Sequence, residues 1–391
     1  MKSNLVVLKT VRIAFSAGII MKIEEFTLER IQSLYENTVE YNLSDSGVHP
    51  YSLRELLTPE QQSQVLDVEL GYGWTNGRVE LRQAIANLHP DRNADHVIVT
   101  NGSAEANFLL VMSLLEPGDE LVVFVPNYLQ IWGWARAIGV DVKEVLLREE
   151  LGWTPDLDDV RKAISHRTKM MTICNPNNPT GSVLSRETMD GLVAIARQHG
   201  IYLHADEVYK GAELNQDEPP SFADLYEKAI ITSGLSKAMA LPGLRIGWLV
   251  GPAQEIYASW QRKDYTSITT GAVSEFVAEI AVQPAKRQEI LARSKRILRE
   301  NLALLQRWVD ANGDLFSFVP PKAGGMAFIR YAMSMNSTEL VHRLREERGI
   351  MLLPGDVYGM DHYIRIGIGA PAHHLEAGLD RLAAFVRTEL K

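Results

Sequence analysis

The chain has 391 residues, 46% of them apolar and 23% charged, enough for two domains around a large buried core. Its formal net charge of −9 argues against a nucleic-acid partner, which needs a basic face. A single cysteine, Cys174, excludes an internal disulfide framework and fits a reducing cytoplasm.

The first twenty residues, MKSNLVVLKTVRIAFSAGII, are apolar and mildly basic. Lys9 and Arg12 interrupt the apolar run and no small-residue cleavage site follows, so a signal peptide does not fit. The stretch is also too short and too charged for a membrane span. Residues 1–20 therefore read as an extension or flexible arm, and MKIEEFTLER, from Met21, as the start of the soluble globular chain. Phe26, Ile31 and Leu34 share helical spacing and predict a helix within EEFTLERIQSLYEN. The irregular segment NLSDSGVHP follows from Asn42. Residues 21–60 are expected to form an N-terminal arm and part of a small domain.

GRVELRQAIANLH reads as the next helix. From Asp95 onward, short apolar runs alternate with helical segments. HVIVT, ELVVFV, KMMTIC, IYLHAD, KAIITSG and RIGWLVG read as strands bounded by turn residues. Buried strands between helices predict an α/β large domain with a mostly parallel sheet over residues 61–285. From about Pro284, AKRQEILARSKRILRENLALLQRWVDAN is amphipathic over roughly 28 residues and predicts one long linking helix. It leads into a small α+β domain, within 286–391, with strands in FSFVPPKAGGMAFIRY and HYIRIGIG. The sequence holds no internal repeat and no low-complexity tract.

Four segments carry the chemistry: TNGSAEA (Thr100 to Ala106), NPNNPTG (Asn175 to Gly181), HADEVY (His204 to Tyr209) and SGLSKAMALPGLRIGW (Ser233 to Trp248). In the first, a small-residue turn opens a helix, so the N–H groups of Gly102, Ser103 and Ala104 can face an anion. The bland alternative is a simple N-cap at Ser103. Asp206 closes an apolar strand, at the end where open α/β sheets place ligand contacts. A helix cap is its ordinary alternative. NPNNPTG could be a plain tight loop. Lys237 has hydroxyl or small residues before it and Arg245, a permanent charge suited to phosphate, eight residues after it. Cys174, in the apolar run MMTIC, reads as a buried inert thiol.

Taken together in this order, the four segments resemble the active-site segments of the fold-type I aminotransferases of class I and II. These enzymes use pyridoxal 5′-phosphate, and the resemblance runs from about Ser46 to Arg365. It implies a large domain with a seven-stranded, mostly parallel sheet flanked by helices, and a small α+β domain drawn from both chain ends. It implies that Lys237 forms the Schiff base with the cofactor and later moves the substrate proton. Asp206 would hold the pyridine nitrogen, Tyr209 and Asn178 the phenolic oxygen, and Tyr128 would stack on the ring. Gly102, Ser103, Ala104, Ser236 and Arg245 would cradle the phosphate. Many members carry serine three residues before the lysine, where this chain has Gly234, so Ser233 is a second candidate and the phosphate serine stays open.

The same resemblance places Arg365 on the substrate α-carboxylate, with the Gly47 N–H closing over it from a mobile N-terminal lid. Asn178 would border the substrate as well. Tyr72 resembles a tyrosine that reaches the phosphate of a neighbouring subunit, which implies a homodimer with shared sites. The implied activity is transfer of an amino group from an L-amino acid to a 2-oxo acid by a ping-pong route, in the cytoplasm, without metal, membrane or nucleic acid. Two rivals remain open. One is a lyase, cyclase or oxidase of the same fold, resembling capreomycidine-synthase-like and arginine-oxidising relatives. The other is a non-catalytic, cofactor-binding regulator. No second arginine stands out as a clamp for a distal carboxylate.

Overall fold

The computed structural model describes residues 21–389; the arm expected at 1–20 lies outside the described residues. The centre of the fold is one sheet in the order β2-β9-β8-β7-β6-β3-β4-β5. Its strands are β2 (Val97–Asn101), β3 (Glu120–Val125), β4 (Asp141–Arg148), β5 (Thr154–Pro155), β6 (Thr168–Cys174), β7 (Tyr202–Asp206), β8 (Ala229–Gly234) and β9 (Ile246–Val250). The pairs β8–β7, β7–β6, β6–β3 and β3–β4 are parallel. β9 runs antiparallel to both of its neighbours. Seven strands make the main sheet, as expected, and β5 adds a two-residue antiparallel edge. The apolar runs of β3 and β9 are buried at every residue, because helices cover both faces.

Pro284–Ala311 forms a single helix of 28 residues, about 42 Å long at 1.5 Å per residue. Its buried stripe includes Ile290, Leu291, Ile297, Leu298 and Leu305. Beyond it lies a four-stranded antiparallel sheet of β10 (Phe316–Phe318), β11 (Met326–Tyr331), β14 (Tyr363–Gly367) and β13 (Leu353–Pro354). The N-terminal segment joins this part of the fold, since β1 (Tyr41–Asn42) pairs in parallel with β12 (Ile350–Met351). The first described helix is Thr27–Tyr35, shorter than the expected stretch at both ends. Of its residues only Leu28 is fully buried, so it lies on the surface of the cleft rather than in the core.

Candidate active site

The C-terminal ends of the parallel strands deliver the functional side chains. β7 ends on Asp206, β6 ends on Cys174 before NPNNPTG, and β8 ends three residues before Lys237. β2 ends on Asn101, and the helix Gly102–Leu114 begins at once. These ends surround a cavity of about 380 Å³. Ser103, Ala104, Tyr128, Asn178, Asp206, Tyr209, Ser236, Lys237, Arg245 and Arg365 all line it.

The anion cradle depends on two glycines. Gly102 has φ +77, and a Cβ there would lie 2.3 Å from Arg245 Nη2. A Cβ on Gly247 would lie 2.4 Å from Ser103 N. Only bare backbone lets β9 and the arginine come so close to the turn. The first-turn N–H groups of Ser103 and Ala104 have no carbonyl partner inside their helix, so they are free for an anion. Arg245 Nη1 donates to Ser236 Oγ (3.3 Å) and to Pro242 O (3.0 Å), which fixes the guanidinium beside them.

Ser236, not Ser233, faces this cradle. Ser233 still belongs to β8 and turns to the other side, where its hydroxyl donates to Glu207 O (3.3 Å). It borders a separate small cavity with His89, Glu207 and Trp248. Ser233, the second candidate for the phosphate, thus faces away from the cavity that holds Ser236 and Arg245.

Asp206 accepts the Val208 N–H (3.1 Å), and burial raises its pKa from 3.8 to about 6. Two residues earlier, His204 is wedged between Thr172 Oγ1 (2.7 Å) and Thr232 Oγ1 (3.0 Å). Burial lowers its pKa to about 3, so it adds no charge behind the carboxylate. Glu207 points away and accepts Ser221 Oγ (3.1 Å) and Phe222 N (3.0 Å).

Arg365 is only 2% exposed and has no carboxylate within ion-pairing distance among the described residues. Nη1 donates to Asn178 Oδ1 (2.9 Å) and Tyr358 OH (2.8 Å), Nη2 donates to Ser44 O, and Nε is buried without a partner. A buried guanidinium with an open donor and no directly paired carboxylate suits a carboxylate ligand. Because the Asn178 oxygen is taken by Arg365, its amide nitrogen is the group left to donate.

The segment 44–47 lies across these groups. Ser44 O meets Arg365, Asp45 Oδ1 lies 3.4 Å from Lys237 Nζ, and Ser46 Oγ accepts Tyr209 OH (2.8 Å). Gly47 N is spent on Asp45 Oδ1 (2.9 Å), so the expected donor to a substrate carboxylate is internally paired here. Tyr128 lines the cavity with its hydroxyl on Glu29 Oε1 (2.7 Å) and Phe26 edge-on at 5.0 Å. Cys174, expected to be inert, is buried at the cavity wall with its thiol pKa pushed well up by burial. Tyr72 lies apart from all of this, on the surface, 89% exposed. Glu29, Asp45, Ser46 and Tyr358 had no distinct signal in the sequence. Asp45 and Ser46 do lie inside SDSGVHP, where only Gly47 drew attention.

A cavity with an arginine and a helix N-terminus at one end, an aromatic wall and a carboxylate behind a lysine fits a phosphorylated pyridine aldehyde. The geometry thus defines a pyridoxal phosphate site on a fold-type I scaffold. Comparison with known proteins agrees. The profile of the family "Aminotransferase class I and II" matches residues 45–384. A capreomycidine synthase of Streptomyces vinaceus is 31% identical over 360 residues, 90% of each chain. A PLP-dependent aminotransferase of Streptococcus suis 89-1591 superposes with a TM-score of 0.89 at 34% identity, over 94% of this chain and 99% of the other. The PLP-dependent cyclase OrfR gives 0.87 at 28% identity, over 94% and 98%. The chain belongs to the class I and II aminotransferase family, whose members use pyridoxal phosphate.

Proposed function

We propose that the enzyme moves the amino group of an L-amino acid to a 2-oxo acid, the two substrates using one site in turn. The supporting observation is the meeting of Lys237, Asp206, Asn178, Tyr209, Ser236, Arg245 and Arg365 on one cavity. Bound there, pyridoxal phosphate supplies an electron sink that lets the substrate α-proton leave. Lys237 is the group to take and return that proton. Asp206 keeps the ring nitrogen protonated. The Asn178 amide donates to the ring oxygen, the Tyr209 hydroxyl joins it once released from Ser46 Oγ, and Tyr128 covers the ring face. Gly102, Ser103, Ala104, Ser236 and Arg245 hold the phosphate. Arg365 takes the α-carboxylate, and the Gly47 N–H joins it once released from Asp45. Tyr72 serves the site of a second copy, so the working unit is a homodimer. Among the described residues no helix is long and apolar enough to cross a membrane, and we assign the enzyme to the cytoplasm.

A second reading, a cyclase, lyase or oxidase acting on a cationic amino acid, draws on the carboxylates around the cavity. Glu29 lines it, and Asp45 reaches in to Lys237. Burial raises the pKa of neighbouring Glu36, and the like charges of Asp45 and Glu29 raise it further. Such a field favours a guanidinium or ammonium side chain. One experiment tests both readings. The purified, cofactor-loaded enzyme is mixed with each of the twenty L-amino acids and its visible spectrum followed. Transamination predicts a single turnover that stops until a 2-oxo acid is added. Continued turnover of a cationic amino acid without any 2-oxo acid would select the second reading.

A further inference from the structure

Three exposed aromatic side chains lie on two neighbouring loops outside the cavity. Tyr72 and Tyr265 are 89% and 90% exposed, and Trp74 is 66% exposed. Their two loops touch, since Thr269 Oγ1 donates to Trp74 O (3.3 Å). Trp260 Nε1 adds a bond to Thr75 Oγ1 (2.7 Å).

The loop with Tyr265 is also tied to the anion cradle, through Glu105. One Glu105 oxygen accepts the Asn101 N–H (2.6 Å), at the turn that opens the Gly102–Leu114 helix. The other accepts Ser267 Oγ (2.6 Å), Ser267 N (3.3 Å) and the Thr266 hydroxyl. Asn101 Nδ2 donates to Thr269 O (3.2 Å), a second link between the same parts. Below them Lys263, wholly buried, donates to Ile268 O (2.8 Å). Burial pushes the Glu105 carboxyl up, but the bonds from Ser267, Thr266 and Asn101 and the Lys263 charge outweigh it and hold the pKa low. Bonds to an ionised acceptor are roughly twice as strong as neutral ones, so the knot is stiff. A carboxylate near a phosphate seat is electrostatically adverse. Its place there is accounted for by the loop it holds.

We propose that Glu105 is a positioning residue that couples the phosphate cradle to the exposed Tyr72–Tyr265 face. Seating the cofactor phosphate and pairing with a second copy of this chain then strengthen one another. The proposal rests on the reading that this face meets a second copy. Linkage makes the coupling reciprocal, typically about 5- to 150-fold.

The test is subunit exchange between two fluorophore-labelled pools of the full chain, with sedimentation to give the mass. Probes are pyridoxal phosphate and pyridoxal, the same ring without phosphate. In the wild type, pyridoxal phosphate should slow exchange at least about fivefold more than pyridoxal does. Glu105→Gln should lower that ratio at least about twofold, leaving the share that Tyr72 carries by direct contact, while the cofactor-free variant stays folded. Should Glu105→Gln fail to fold, the pair Thr266→Val and Ser267→Ala removes the two hydroxyl donors and leaves the Asn101 and Ser267 N–H bonds; it should lower the ratio as well. A folded variant that keeps the wild-type ratio overturns the coupling and leaves the dimer intact. A wild-type monomer at all concentrations, with and without cofactor, overturns the dimer reading and the coupling with it.

Discussion

A group held in place for catalysis should cost stability, and Asp206 lets that cost be measured. Burial at the end of β7 raises its pKa from 3.8 to about 6; the Val208 N–H pulls it down, Glu207 pushes it up and Lys237 pulls it down. Between those two values the folded protein keeps a proton that the unfolded chain has released. Stability therefore falls as pH rises from 3.8 to about 6, and stays reduced above that. Two units correspond to roughly 3 kcal/mol. The carboxylate borders an open cavity whose water screens it, so about 2 kcal/mol is the expectation. Asp206→Asn removes the charge and keeps an acceptor for Val208. Its new amide also lies near Asn107, whose Oδ1 is buried without a partner. Urea denaturation of cofactor-stripped protein is the assay. At pH 8 the variant should be more stable than the wild type by about 2 kcal/mol, and near pH 4 the gain should vanish. The same variant, reloaded with cofactor, should lose most turnover. No gain at pH 8, or an equal gain at both pH values, would refute the reasoning.

Three further outcomes follow from the geometry. Gly102→Ala places a methyl 2.3 Å from Arg245 Nη2 at φ +77, so cofactor affinity by equilibrium dialysis should fall about tenfold or more; undiminished affinity would remove this turn from the phosphate seat. Arg365→Leu should raise KM for amino and 2-oxo acids alike by about 2–5 kcal/mol of lost binding while cofactor stays bound, and unchanged KM for both would point to another cation. Mixing Tyr72→Phe with Lys237→Ala should raise activity as subunits exchange, because a mixed dimer carries both lesions in one site; activity fixed at the parental average after confirmed exchange would place both residues in one subunit's site.

The strands that carry catalytic groups were legible because their chemistry leaves an apolar run ending in a polar residue, as in IYLHAD. β4 was not legible. It lies near the sheet edge, and Asp141, Lys143, Glu144 and Arg148 break its apolar character; only Val145 and Leu147 are buried. The reversal of β9 was also invisible, since RIGWLV encodes burial and not direction. Ser233 and Ser236 differ for a simple reason. Ser233 is the penultimate residue of β8, so the pleat fixes its side, whereas Ser236 lies beyond the strand and is free to turn toward Arg245.

Residue type gives a signal where a charged group stands at or just beyond the end of an apolar strand, as with Asp206 and Lys237. It gives no signal when the role is made by contact across the chain. Glu29 meets Tyr128 across 99 residues, and Ser46 meets Tyr209 across 163. No spacing rule spans such distances. These same residues line the cavity. Arg365 shows both halves at once. The family resemblance of HYIRIGIG implied a carboxylate reader. Only the fold shows the guanidinium buried, anchored on Asn178 and Tyr358, with Nε unpartnered and, among the described residues, no carboxylate paired directly with it. A buried charge left so costs several kcal/mol unless a ligand supplies its partner. Under the proposed function a carboxylate common to amino and 2-oxo acids would supply it, so the resemblance points to the arginine while leaving the substrate side chain open.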